Sequence, residues 1–133
     1  THADTSERGL RDFLGELDGY RIHRLDIIEE DLPDAIGAVA VANIDVDLYE
    51  AVLAALRKLA PRVVPGGVLV VEDQGHTPAL AGAYLALVEF LRSPAGPAFV
   101  PIHMASGQMI LISDDDCGLA ARPHPWHVLR CTC

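Results

Sequence analysis

Three acidic residues fall where two apolar runs stop: the run 38–44, AVAVANI, ends at Asp45, and the run 68–71, VLVV, ends at Glu72 and Asp73. Runs that are apolar without alternation are expected of parallel strands covered on both faces. In an open parallel sheet, loops and helix N-termini converge beyond the carboxyl ends of the strands, which makes that end the place for a ligand. If the two strands are neighbours, the three carboxylates come within reach of one ion. Hard oxygen donors of this kind suit Mg²⁺, Mn²⁺ or Ca²⁺ rather than zinc. Taken singly, Asp45 or Asp73 is as well explained as a cap on the following helix or an acceptor for loop amides. Three acids at two strand ends favour a shared site, either for a metal or for substrate hydroxyls.

Other side chains carry weaker signals. His76 follows the acidic pair in a loop and has the proton affinity of a general base, although a solvated loop histidine would look the same. His103 and Ser106 flank a short turn that explains them equally well. His124, His127, Cys131 and Cys133 have the spacing H-x2-H-x3-C-x-C, which matches no common zinc site, and all four lie in the last ten residues. Tyr49 and Trp126 read as packing residues.

The elements that must position the acids follow from periodicity. Residues 4–17 place Leu10, Phe13, Leu14 and Leu17 at helical spacing, and Asp18-Gly19 turns the chain into 20–26, where Ile22 and Leu25 suggest a strand. The run 38–44 is expected to be a central strand. Asp47 and Glu50 fit a capping box ahead of a helix from Leu48 to about Leu59. Pro65-Gly66-Gly67 predicts a turn before the strand 68–71. Thr77 as N-cap and Pro78 at the first helical position open a helix carrying Leu80, Tyr84, Leu87 and Leu91, which stops before Ser93-Pro94. Segments 98–102 and 108–112, joined through Ala105-Ser106-Gly107, predict an antiparallel hairpin. From Asp114 the chain reads as an irregular tail. Alternating strands and helices make the class α/β.

Composition limits the partners. The 133 residues, half of them apolar, suit one domain. A formal charge of −9 and a single lysine, Lys58, leave no basic cluster for nucleic acid or an anionic membrane. No apolar run approaches the ~20 residues of a membrane span, and residues 1–9 are too polar for a signal peptide. Cys117, Cys131 and Cys133 cluster at one end, unlike a disulfide scaffold, and read as reduced thiols. A cytoplasmic protein with a small-molecule partner is the expectation.

In combination, Ile44-Asp-Val-Asp-Leu-Tyr-Glu50, then Leu59-Ala-Pro-Arg-Val-Val-Pro-Gly-Gly67, then Val68-Leu-Val-Val-Glu-Asp73 resembles the macrocin O-methyltransferase family of the TylF/MycF type. That family reads L-D-x-D-x-Y-E-S-T, L-x-P-x-L-x-x-G-G and V-I-V-D-D-Y, with the same distance from the first aspartate to the acidic pair. Residues 25–33 resemble its G-x-x-x-D-T-L-P stretch, and 101–110 its terminal P-I-D-x-x-G hairpin, so the likeness runs from about residue 5 to 113. It implies a Rossmann-like class I methyltransferase sheet, mostly parallel with a C-terminal antiparallel hairpin. It further implies methyl transfer from S-adenosylmethionine to a hydroxyl of a small natural product or sugar, with Mg²⁺ or another divalent cation holding the acceptor oxygen. By the resemblance Asp45, Glu72 and Asp73 match the metal ligands, Asp26 and Ile27 border the adenine, and His103 and Ser106 lie where acceptor contacts fall.

The chain departs from the pattern in places. Glu72-Asp73-Gln74 stands where the family has two aspartates and an aromatic, and Ala51-Val52 where it has Ser-Thr. No G-x-G-x-x-G segment is present, and the family's usual base histidine and first two strands lie upstream of the matched region. The expectation is therefore that residues 1–113 form the later part of a methyltransferase domain. The missing strands would come from a longer protein or from another subunit, as in a homo-oligomer. Two other readings compete: a receiver-like Mg²⁺-binding regulatory module, which needs a lysine at a later strand end, and a non-catalytic methyltransferase remnant serving as an interaction surface.

Overall fold

The computed structural model describes residues 6–72 and 81–114. In chain order the elements are helix α1 (Glu7–Leu14), strand β1 (Val39–Ile44), helix α2 (Tyr49–Leu59), strand β2 (Val63–Val71), helix α3 (Ala81–Arg92), strand β3 (Phe99–His103) and strand β4 (Met109–Ser113). The four strands form one mixed sheet in the order β1-β2-β4-β3. β1 and β2 are parallel, with α2 as their crossover, while β4 runs antiparallel to both β2 and β3. Three strands thus point one way, and the predicted hairpin folds back so that its second strand, not its first, lies beside β2.

Registry fixes the faces, because side chains alternate along each strand. Ala42, Ile44, Leu69, Val71, Met109 and Leu111 share the face toward α2 and α3. Leu56, Leu69, Leu87 and Leu111 are sealed from solvent there, and Phe90 meets Phe99 at a centroid distance of 5.8 Å and an interplanar angle of 59°. The opposite face carries Val41, Val68, Val70, Ile110, Ile112 and Val100. None of these six is buried, and Val41 is 69% exposed.

Several sequence expectations are corrected. β1 was expected at the sheet centre; among the described residues no strand pairs with its outer side, so within them it lies at the edge. An apolar run reports that a strand calls for cover, not which element supplies it. Segment 20–26 is not a strand: no described strand lies beside it to take its amides and carbonyls, and Arg21, His23 and Arg24 are exposed. Helix α1 is shorter than the predicted 4–17. Ser6 caps it, accepting the Gly9 N–H at 3.0 Å, and Gly15 at φ +56° ends it. The Asp47–Glu50 capping box does not form. Leu48 is the N-cap of α2 and its carbonyl takes the Val52 N–H at 2.9 Å, which leaves Glu50 one position short of the site the box requires. Finally, Pro65-Gly66-Gly67 lies inside β2 as an irregularity, where the pairing jumps from Val39–Val63 to Val41–Val68. Gly66 is at φ +72°, and a Cβ on Gly67 would meet the Val64 carbonyl at 2.8 Å and the Ala40 carbonyl at 3.1 Å. Only glycine allows the strands to pass so closely.

Two cations tie the segment before β1 to the sheet layer. The Lys58 ammonium near the end of α2 donates to the carbonyls of Ile27 (2.7 Å), Ile28 (3.1 Å) and Glu30 (2.7 Å), and the Arg62 guanidinium donates to those of Leu32, Pro33 and Ile36. These bonds satisfy carbonyls that have no ladder of their own.

Candidate functional site

Ile44 and Val71 are register partners at the carboxyl ends of β1 and β2, and the next amide, Glu72 N–H, donates to the Ile44 carbonyl at 3.0 Å. Asp45 and Glu72 therefore stand side by side at adjacent strand ends, as the sequence predicts. The row continues across the sheet: Val71 pairs with Met109, and Met109 with His103. One step beyond it lie Asp45, Glu72, Gln108 and Met104, the last two joined by the Met104 N–H to Gln108 carbonyl bond at 2.9 Å. Asp45 is exposed and Glu72 half-buried. Asp73 and His76, together with His124, His127 and the three cysteines, lie outside the described residues.

Glu72 is held by a side chain the sequence reading did not single out. The amide nitrogen Nε2 of Gln108 donates to both carboxylate oxygens, at 2.9 and 2.7 Å, and the Ser106 hydroxyl lies 2.9 Å from Gln108 Oε1. A carboxylate only accepts, so the NH₂ of the amide must face Glu72, which leaves Oε1 to accept from Ser106. The chain of donors runs Ser106 to Gln108 to Glu72. Its origin is topological: with β4 inserted between β2 and β3, Gln108 becomes the cross-strand neighbour of Glu72, 36 residues away in sequence. The glycine that turns the hairpin, Gly107, is at φ +92° and donates to the Met104 carbonyl at 3.0 Å.

Not all predicted site residues meet. Ile27 and Asp26 lie beside the far end of α2 from Asp45, since Lys58, which holds the Ile27 carbonyl, is nine residues, or ~14 Å, along the helix from Tyr49. There the Asp26 carboxylate accepts the N–H groups of Ile28 (2.9 Å) and Glu29 (3.4 Å), while Glu30 Oε1 accepts the Asp26 N–H at 2.6 Å. This is a reciprocal cap on a short turn.

At the acid end, α2 and α3 begin close together. Tyr49 donates its hydroxyl to Glu89, which also pairs with Arg57 at 2.9 Å. The bond to Glu89 raises the Tyr49 pKa above the ordinary phenol value. A Cβ on Gly82 would lie 3.3 Å from Tyr49 Cβ. Tyr49 therefore joins the two helices, as its reading as a packing residue anticipates. A groove of about 310 Å³ runs between α3 and the outer strand, lined among others by Tyr84, Val88, Leu91, Pro101, His103 and Met109. His103 and Met109 bring its near end to the acid row.

As a donor set, Asp45 and Glu72 fit a hard divalent cation in kind, being carboxylates on one rim. Among the described residues, however, no cluster of three His, Cys, Asp or Glu residues forms. No helix among the described residues is long and apolar enough to cross a membrane.

None of the curated proteins compared matches the chain. The family model of the macrocin O-methyltransferases (TylF) matches residues 14–90, which is 77 of the 133 positions and spans Asp26, Asp45, Glu72 and Asp73. By that match, the chain belongs to the macrocin O-methyltransferase family.

Proposed function

We propose that this chain, on a Rossmann-like class I methyltransferase sheet, serves S-adenosylmethionine-dependent, divalent-cation-assisted O-methyl transfer to a hydroxyl of a small natural product or sugar. Family membership supports methyl transfer and, through it, S-adenosylmethionine as the donor. The observation that carries the site is the placement of Asp45 beside Glu72 at adjacent strand ends, ahead of Asp73.

When bound, S-adenosylmethionine supplies the electrophilic methyl group, and a divalent cation would acidify the acceptor hydroxyl and fix its oxygen. The residues that would hold the cation are Asp45, Glu72 and Asp73. With that donor bound, the acceptor oxygen would take the methyl group as the sulfonium leaves as a thioether, and the hydroxyl proton would pass to a base of this chain. His76 is the proposed base, within four residues of Glu72 in sequence. His103, at the mouth of the α3 groove, is the proposed contact to the acceptor, whose apolar part the groove would take. Asp26 and Ile27 are proposed to border the adenine, with their turn fixed by Lys58 and Glu30.

The receiver-like reading is disfavoured by Lys58, whose ammonium is committed to three backbone carbonyls rather than placed at a strand end. The test is calorimetric titration of S-adenosylhomocysteine, with and without Mg²⁺, followed by transfer of labelled methyl from S-adenosylmethionine to a panel of hydroxylated sugars and phenols. Saturable binding with Mg²⁺-dependent transfer supports the reading. Absence of both refutes it, and transfer indifferent to chelators removes the cation from it.

A further inference from the structure

We infer that the groove between α3 and β3 selects a hydroxylated carboxylic acid: an elongated molecule with its hydroxyl at the acid rim, an apolar body, and its carboxylate against Arg92. The inference rests on the methyl-transfer reading above for the role of that molecule as acceptor, and on the groove alone for its binding. The groove follows α3 along its length. Its rim end is marked by Tyr84, in the first turn of the helix, and by His103 and Met109, register partners in the row that leads to Asp45 and Glu72. Its far end is marked by Arg92, the last residue of α3. Tyr84 and Arg92 are eight positions apart, so the two ends stand ~12 Å from each other along the helix. Leu87, Val88, Leu91 and Pro101 supply the apolar surface between.

Charge sets the direction. A chain of net charge −9 repels anions from most of its surface. Among the described residues that line the groove, however, none is Asp or Glu, and the basic ones are Arg92 and His103. The other cations packed on this layer are committed, Lys58 and Arg62 to backbone carbonyls and Arg57 to Glu89. Arg92 makes no hydrogen bond or ion pair among the described residues. A basic residue in the last turn also complements the helix dipole, but it does so from any side of the helix. Arg92 stands on the groove side, in the row that carries Tyr84 and Val88 at intervals of four. Its full charge outweighs the partial charge of about half a unit at the helix end, and a guanidinium takes a carboxylate through two parallel N–H donors. At the rim, Asp45 and Glu72 repel that same group. The carboxylate therefore lies at the far end, which leaves the hydroxyl at the near end beside Tyr84 and His103.

The probe is a hydroxybiphenyl carboxylate with its two polar groups at opposite ends, and its carboxamide is the neutral control of the same shape. In calorimetric titrations of the 133-residue chain, the carboxylate should bind about 3–10-fold more tightly than the carboxamide, the scale of a well-aligned ion pair open to water. The difference should shrink as salt rises. Arg92→Gln should bring the two affinities together, and Arg92→Glu should reverse their order. Arg92 is exposed, so both variants should melt with the native chain. Equal binding of the two probes by the native chain, a preference that survives Arg92→Gln, or no binding of either would overturn the inference. Transfer of labelled methyl from S-adenosylmethionine reports separately on the reading beneath it. Binding that depends on Arg92, with no label reaching any hydroxylated acid or other acceptor, would refute methyl transfer and leave the selectivity of the groove standing.

Discussion

Asp26 and Tyr49 show how a single side chain can be tested for structure and chemistry separately. Asp26 caps a turn through its carboxylate oxygen, a task asparagine also performs. Asp26→Ala should therefore cost about 1 kcal/mol of stability in urea unfolding, by loss of the cap. Asp26→Asn should restore that stability, yet bind S-adenosylhomocysteine more weakly than the native chain if the carboxylate faces the adenosine. Equal affinity in Asp26→Asn would leave the residue with its turn alone. Tyr49 gives a pH prediction with a definite sign. Its bond to Glu89 favours the neutral phenol, so its folded pKa lies above the unfolded one. The stability this bond contributes is complete below the unfolded pKa near 10 and is lost as pH rises through the folded value. Ultraviolet titration of phenolate should show one tyrosine ionising late, absent in Tyr49→Phe and shifted back toward the ordinary range in Glu89→Gln.

At the scale of elements, the sequence announced strands and helices well but not their neighbours. The acids at the ends of β1 and β2 were legible because an apolar run followed by Asp45 or Glu72 marks a strand end whatever surrounds it. Gln108 was not, since its role depends on β4 entering the sheet between β2 and β3, and no local pattern encodes that order. The same limit explains segment 20–26, whose Ile22 and Leu25 look like a strand in isolation but find no described edge. Local backbone constraints are better encoded. Gly96 is buried after α3, and a Cβ there would lie 2.1 Å from the Leu91 carbonyl oxygen, so the chain can turn into β3 only with glycine. Gly96→Ala should destabilise the chain by about 2–3 kcal/mol as an overpacked site. Gly15→Ala, with open space around it but φ at +56°, should cost only about 1 kcal/mol. Parallel melting of the two variants separates steric clash from conformational strain.

Seen as a whole molecule, the sheet has one finished face and one unfinished. α2 and α3 cover Leu69, Val71 and Leu111, while Val41, Val68, Val70, Val100, Ile110 and Ile112 form an apolar surface that no described element covers, bounded by β1, whose outer side pairs with no described strand. Apolar surface of this kind drives association, and an unpaired strand edge offers hydrogen bonds to whatever arrives. Opposing both is the net charge of −9, which repels like chains at long range. Salt screens the repulsion, with a Debye length falling from about 30 Å at 0.01 M to about 8 Å at 0.15 M, but leaves apolar burial intact. The 133-residue chain should therefore self-associate more strongly as salt rises, the reverse of an assembly held by ion pairs. Val41→Lys should suppress this by placing charge on the exposed face of β1 without disturbing the core. Its melting temperature in dilute solution should stay within a degree or two of the native chain's, since a surface change of this kind is ordinarily worth at most about 0.5 kcal/mol. Sedimentation velocity across a salt series distinguishes the outcomes. Association that weakens with salt would assign the contact to charge, and a Val41→Lys protein that associates as before would place it on another surface, such as the exposed Phe13 face of α1.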